Sequence, residues 1–178
     1  MALISTVAPE EATGIIKEGY DMFFKNVGSI PRPMEVLSCS PALFELQLKR
    51  IGYFAKHPKL SFALLSHIRY LAAHSLNYSF CMDFNRHMLK KQGLADEDIQ
   101  AMEKDPAKAL LEENEIAMLV FVMKAMKTPG STTTEDIAQL KALGWEEKEM
   151  VEALAQGVGM IDHSIMMEAF QIDQNCML

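Results

Sequence analysis

The sequence predicts an all-α protein, and three features of its pattern indicate this fold class. Apolar residues recur at the three- and four-residue spacing of one helix face along almost the whole chain. Proline, glycine and Ser-Pro pairs stand between these segments, where helices begin and end. Neither an alternating strand pattern nor an Asn-Gly or Asp-Gly hairpin dipeptide occurs. With 178 residues, the chain is expected to form one domain over residues 1–178.

The first third of the chain contains two helix patterns separated by a proline-containing segment. Residues 16–27 place apolar side chains on one face, and Gly28 follows as a C-terminal stop. We expect residues 30–33 to form a linker, because their two prolines cannot lie inside a helix. Ser40-Pro41 then predicts an N-cap followed by proline in the first turn of the second helix.

The longest helical pattern covers residues 60–92 and ends at Gly93. A straight helix of that length would measure about 50 Å, whereas a domain of this size is about 40 Å across. The helix is therefore expected either to extend into a neighbouring subunit or to break. Ser75, Asn77 and Ser79 favour a break, because Ser and Asn prefer caps to helix interiors. A break there would place Cys81 in the first turn of a new helix.

The second half of the chain continues the helical pattern. Asp105-Pro106 is expected to open a helix that carries the apolar residues 116–126 and stops before the next proline. Thr132-x-x-Glu135 is a capping-box pattern, which predicts the start of a short helix. The last helix is expected over about residues 145–171.

Composition and charge exclude several classes of function. The net charge of −7 lacks the basic footprint of a nucleic-acid-binding protein. The longest apolar run, residues 116–123, is too short for a membrane span, and no basic residue precedes the apolar N-terminus as in a signal peptide. We therefore expect a cytoplasmic protein. Its three cysteines, Cys39, Cys81 and Cys176, are far apart, which argues against a disulfide framework and a cysteine zinc site. We expect neither a cofactor nor a metal.

The segment of residues 68–81, IRYLAAHSLNYSFC, is the most informative part of the sequence. It resembles the signature of the carboxymuconolactone decarboxylase superfamily, in its alkylhydroperoxidase D (AhpD)-like branch. The Gly-x-Ile-Pro segment at 28–31, the helix start at Ser40-Pro41 and the stop at Gly93 extend the resemblance to about residues 10–170. The resemblance implies an AhpD-like helical-hairpin core with additional packed helices. It also implies a homo-oligomer, a trimer or hexamer, that acts on a small molecule.

The peroxidase branch of this family uses two cysteines and a proton relay. Its motif has a Glu upstream of a Cys-x-x-Cys pair and a His on either side of the second Cys. One thiolate attacks the peroxide, the other Cys resolves the sulfenic acid, and Glu and His move the proton. Here Cys81 matches the second Cys, whereas Tyr78 stands at the first Cys, Ser66 at the Glu, Asn85 at the distal His and Phe80 at the nearer His. The resemblance therefore implies a peroxidase-like oxidoreductase with an incomplete relay.

Three interpretations of these residues remain open. Cys81 is either a nucleophile at a helix N-terminus or a small buried core residue. A Cys-independent enzyme acting on a small carboxylate or lactone would instead use His74, Tyr78 and His163 for acid–base chemistry. The third interpretation is a homo-oligomer that binds a ligand without catalysis. The sequence names no substrate for any of them.

Overall fold

The computed structural model describes residues 2–172, which form nine α-helices and no strand. The predicted all-α class is therefore confirmed. None of these helices combines the length and the hydrophobicity that crossing a bilayer requires. The helices are α1 (Gly14–Val27), α2 (Arg32–Leu37), α3 (Pro41–Ala55), α4 (Phe62–Ser75), α5 (Ser79–Lys91), α6 (Asp96–Lys104), α7 (Glu113–Lys127), α8 (Thr134–Ala142) and α9 (Glu147–Ala169).

Two expected helix boundaries are confirmed. α1 ends at Val27, and Gly28 follows with a φ of 90°, a left-handed conformation that glycine adopts without steric cost. α3 begins at Pro41, directly after Ser40. The Ser40 side chain makes no capping hydrogen bond, so its contribution to the boundary is its extended backbone.

Two expectations about the connecting segments are wrong. Residues 30–33 are not only a linker, because α2 begins at Arg32 with Pro33 in its first turn. The first N–H groups of a helix have no intrahelical acceptor, so a proline there removes no hydrogen bond. The sequence pattern also missed α6, which buries only Ile99 and Met102. Its first turn is acidic, which suits the positive end of the helix dipole but hides the apolar periodicity.

Two helix starts in the second half lie later than expected. Asp105-Pro106 opens only a short 3-10 helix, Pro106–Lys108, and α7 starts after it. The capping box of α8 is shifted by one residue, because Thr133 rather than Thr132 is the N-cap. The Asp136 carboxylate accepts the Thr133 backbone N–H at 2.8 Å.

The chain divides into two compact units. We call residues 2–57 with 163–172 the terminal unit, and residues 58–162 the central unit. α9 begins in the central unit and ends in the terminal one. The terminal unit has its own apolar core, in which Tyr20 packs edge-on against Phe44 with ring centroids 5.8 Å apart. A side chain at Gly19 would overlap the Phe44 ring, so glycine there permits the close approach of α1 and α3.

α4 is the central helix of the central unit. Nine of its fourteen residues are buried, on more than one face. It packs most extensively against α5 and also against α7. Tyr70 of α4 donates a hydrogen bond to Glu103 of α6, and Arg86 of α5 donates one to Asp96 of α6. These polar contacts attach the small helix α6 to the α4–α5 pair.

The predicted break in the long helical pattern is confirmed. α4 ends at Ser75 and α5 begins at Ser79, which places Cys81 in the first turn of α5. Asn77 lies in the connection with a φ of 53°, the left-handed region that Asn tolerates better than other non-glycine residues. The two helices therefore form a hairpin rather than one rod, and the hairpin creates the helix terminus at Cys81.

Substitution of Asn77 should test the energetic importance of this connection. Asn77→Gly is expected to change the free energy of unfolding little, whereas Asn77→Val should lower it by about 1–2 kcal/mol, because a β-branched side chain is strained at positive φ. Urea unfolding of the two variants measures the difference. Equal stability of the Val and Gly variants would contradict the assigned backbone conformation.

His67 is a buried ring on α4, with 1% of its surface exposed. Its Nδ1 lies 2.8 Å from the Ala63 carbonyl oxygen and therefore donates to it. Its Nε2 is buried and has no hydrogen-bond partner among residues 2–172. Burial lowers the pKa of His67, although the hydrogen bond to Ala63 and the charge of Glu115 oppose the shift. The folded protein therefore holds this ring neutral at neutral pH.

The neutral ring predicts a pH dependence of stability. Below the ordinary histidine pKa of about 6.5, the unfolded chain binds a proton that the folded chain resists, so stability falls as the pH falls. Between about pH 7.5 and 5.5, wild type should therefore lose more unfolding free energy than His67→Gln, by at most about 1.4 kcal/mol per pH unit. Urea unfolding at both pH values measures this difference, with the exposed His74→Gln as the control. Parallel pH profiles for wild type and His67→Gln would contradict the account.

Candidate active site

α4 and α5 meet around the guanidinium of Arg69. Nη2 of Arg69 donates to Oγ of Ser66, one turn earlier on α4, at 3.1 Å. Nε of Arg69 donates to Oδ1 of Asn85 on α5, also at 3.1 Å. Ser66 and Asn85 are 0% and 2% exposed. Two buried residues from different helices therefore hold one cation.

The hydrogens of Ser66 and Asn85 are engaged elsewhere, which orients both side chains. Ser66 Oγ donates to the Phe62 carbonyl oxygen at 2.7 Å. Asn85 Nδ2 donates to the Cys81 carbonyl oxygen at 2.8 Å. The Ser66 hydroxyl and one N–H of the Asn85 amide both donate to the backbone of their own helix. Each side chain is thereby oriented with an oxygen toward Arg69. This directionality fixes the guanidinium between the two helices.

The guanidinium is partly buried and has no acidic partner among the described residues. Burial lowers the pKa of Arg69 to about 10, and the nearby Cys81 opposes this shift. Arg69 therefore stays protonated near neutral pH. No carboxylate pairs with it within the described part of the chain. The ring of Phe62 lies 5.8 Å from the guanidinium carbon, so an aromatic face covers one side of the cation.

Cys81 occupies the first turn of α5, forms no disulfide within residues 2–172 and is 5% exposed. Two features of its surroundings favour a negative charge on sulfur: the N-terminal end of α5 and the Arg69 cation. The interaction is reciprocal, since a thiolate that raises the pKa of Arg69 is itself stabilised by Arg69. Burial acts in the opposite direction. The site is thus electropositive and shielded from water.

The six predicted site residues do not all gather at this point. The structure brings Ser66, Asn85 and Cys81 together, and Tyr78 is the fully buried N-cap residue of α5, packed against Phe80. The sequence positions matched to the family's Glu and distal His are therefore neighbours in space, as the resemblance implies. Their side chains bind a cation instead of relaying a proton.

The two histidines proposed for acid–base chemistry have other surroundings. His74 is exposed and stacks on Tyr70, with ring centroids 6.3 Å apart. His163 belongs to the terminal unit, where its Nε2 lies 3.4 Å from Nε2 of Gln47. Cys176, the third cysteine, lies outside the described residues.

Arg69 is the functional candidate that the sequence pattern missed. One indication was present in the sequence. Arg69 stands between the apolar residues of α4, and charged side chains are rarely buried in such a stretch unless they are paired. The partner Asn85 lies sixteen residues away on another helix, so no local pattern connects the two. Among residues 2–172, no group of three or more His, Cys, Asp or Glu side chains could hold a metal ion.

Comparison with solved structures establishes the fold. An uncharacterized peroxidase-related protein from Ralstonia eutropha JMP134, with an alkylhydroperoxidase AhpD core, matches with a TM-score of 0.81 at 14% identity, over 98% of this chain and 92% of that one. An uncharacterized peroxidase-related protein from Silicibacter sp. TM1040 matches with a TM-score of 0.79 at 10% identity, over the same shares, 98% and 92%. A protein of unknown function from Agrobacterium tumefaciens, a candidate antioxidant defence protein AhpD, matches with a TM-score of 0.61 at 18% identity, over 77% and 93%.

This chain therefore has the all-α AhpD-like fold, as its sequence predicted. No family model matches it, and no curated protein matches it. Because one fold hosts many chemistries, the likeness leaves the reaction to be argued from the site. The single domain, the homo-oligomer and the cytoplasmic location stay predictions.

If the charge of Arg69 activates Cys81, a nearly isosteric substitution that places a carboxylate on Arg69 should make Cys81 less reactive. Asn85→Asp places a carboxylate on Arg69 and a negative charge close to Cys81, so alkylation of Cys81 by iodoacetamide should slow by about tenfold or more. Mass mapping of the labelled peptide gives the rate. Asp83→Asn, an exposed charge change on the same helix, is the matched control and should alter the rate little. An unchanged rate in Asn85→Asp would contradict the electrostatic role of Arg69.

Proposed function

We propose that the protein is a single-cysteine thiol oxidoreductase that reduces peroxides at Cys81. The observation that carries the proposal is the partly buried Arg69 guanidinium, linked through Asn85 to the turn that holds the buried Cys81 at a helix N-terminus. Reactive cysteines occupy electropositive sites of this kind, whereas inert buried cysteines have apolar surroundings. The AhpD-like fold and its likeness to peroxidase-related proteins support the same reaction class.

The reaction begins with attack of the Cys81 thiolate on one oxygen of a hydroperoxide. The S–O bond forms as the O–O bond breaks, which oxidises Cys81 to a sulfenic acid and releases the other oxygen as an alkoxide that takes up a proton to become an alcohol. Negative charge moves from sulfur to the departing oxygen in this step. The fixed N–H groups of Arg69 stabilise that charge without reorganising.

Regeneration of Cys81 requires an external thiol. Tyr78 stands where the resembled family has its first cysteine, so no neighbour in that motif resolves the sulfenic acid. One thiol condenses with the sulfenic acid to give a mixed disulfide and water, and a second thiol releases Cys81 as the first leaves as a disulfide. Two external thiols are thus oxidised for each peroxide reduced.

Arg69 replaces the proton relay of the two-cysteine enzymes in this proposal. Ser66 and Asn85 do not titrate near neutral pH, so they cannot transfer protons as Glu and His do. They hold Arg69, and Arg69 acts by charge. A permanently charged guanidinium favours the thiolate over a wide pH range, because it does not lose its proton near neutrality.

Thiol-coupled peroxide consumption tests the proposal. Wild type should consume an organic hydroperoxide only when an external thiol is supplied, and Cys81→Ser should lower the rate to background. Cys39→Ser is the matched control, because Cys39 is exposed and belongs to the other unit. The double variant Cys39→Ser, Cys176→Ser should keep full activity. Turnover that survives in Cys81→Ser would overturn the proposal.

A further inference from the structure

The guanidinium of Arg69 has more donors than the protein uses. Arginine carries five N–H donors in a planar fork. Two of them bond to Ser66 and Asn85. The remaining three find no protein acceptor within residues 2–172. Arg69 is only partly buried, and none of its nitrogens is a buried atom without a partner among the described residues. Its unused N–H groups are therefore accessible to an anionic ligand, which would satisfy both the charge and the hydrogen bonds.

The arrangement determines which donors remain. Nε is occupied by Asn85, and one N–H of Nη2 is occupied by Ser66, so both N–H groups of Nη1 and the second one of Nη2 are left. The ring of Phe62, 56% exposed, lies 5.8 Å from the guanidinium carbon and takes none of these donors. Nη1 and Nη2 form the outer edge of the guanidinium, and N–H groups on such an edge match the two oxygens of a carboxylate.

We infer that this edge of Arg69 binds a carboxylate, so that the substrates of Cys81 are hydroperoxides that carry a carboxylate near the O–O bond. The reaction in this inference rests on the proposed function, whereas the anion site itself rests on Arg69 alone. A carboxylate takes two of the three unused donors, which holds the reagent beside Cys81. The third donor remains for the oxygen that departs from the peroxide.

Because the protein as a whole is negatively charged, a preference of Cys81 for an anionic reagent would indicate a local anion site. With a net charge of −7, the surface as a whole repels anions. A negatively charged reagent should therefore react more slowly than a neutral one at an ordinary cysteine of this chain. Exposed Cys39 measures this general effect within the same molecule.

Competitive alkylation with iodoacetate and iodoacetamide tests the inference. Both reagents alkylate a thiolate at the same type of carbon, but only iodoacetate carries a carboxylate. The ratio of the iodoacetate rate to the iodoacetamide rate, read by mass mapping, is expected to be about tenfold or more higher at Cys81 than at Cys39, as one charge-assisted bidentate contact allows. Both reagents meet the same thiolate fraction in the free protein, so the ratio reports the net effect of recognising the anion.

Substitutions of Arg69 show whether this residue causes the high ratio at Cys81. Arg69→Gln should bring the ratio at Cys81 down to that at Cys39, and Arg69→Lys, which keeps the charge but not the fork, should give an intermediate value. Equal ratios at the two cysteines of wild type would overturn the inference, and so would a high ratio that persists in Arg69→Gln. If wild type shows the high iodoacetate-to-iodoacetamide ratio at Cys81 but turns over no peroxide, the proposed function is overturned and the anion site is not.

Binding of acetate provides a second readout that does not need Cys81 to react. In ¹⁵N-labelled protein, the Nε–H resonance of Arg69, assigned by its absence in Arg69→Gln, should shift on addition of acetate and not of acetamide. The shift should saturate and should be retained in Cys81→Ser. An Nε–H resonance that acetate leaves in place, or moves only as much as chloride does at equal ionic strength, would overturn the inference.

Discussion

The site depends on two hydrogen bonds that Arg69 donates. One goes to Ser66 on its own helix, and the other crosses the α4–α5 hairpin to Asn85. These bonds are directional because the two acceptor side chains donate to backbone carbonyls of their own helices. They hold a positive charge in a partly buried position. The environment of Cys81 follows from that charge and from the helix end on which the cysteine lies.

The hairpin itself depends on a short polar connection. If residues 60–92 formed one rod, Cys81 would lie in a helix interior, where its neighbours' N–H groups are already bonded. Asn77 in the left-handed conformation turns the chain, and α5 begins two residues later. Cys81 then lies in the first turn of α5, where the positive end of the helix dipole adds to the field of Arg69. Local backbone chemistry and a long-range hydrogen bond thus act on the same sulfur atom.

The sequence predicted the features that depend on residues close together in the chain, and it missed those that depend on contacts between different helices. The break before Cys81 followed from the cap preferences of Ser and Asn, which act within a few residues. Positions 66, 81 and 85, which the family resemblance singled out, lie around Arg69 in the structure. The resemblance did not reveal Arg69, because its partner Asn85 lies on a different helix and the resembled motif has no residue of this kind. α6 was missed since its contacts to α4 and α5 are polar and nonlocal.

An uncompensated, partly buried cation costs stability, and proteins keep such groups where the charge has a use. The central claim is that Arg69 promotes ionisation of Cys81. The most direct measurement is the pH dependence of Cys81 alkylation by neutral iodoacetamide, in a Cys39→Ser, Cys176→Ser background, with Arg69 intact and with Arg69→Gln. The account predicts that the midpoint of the profile moves to higher pH in Arg69→Gln by about one unit or more. Identical midpoints in the two proteins would contradict it.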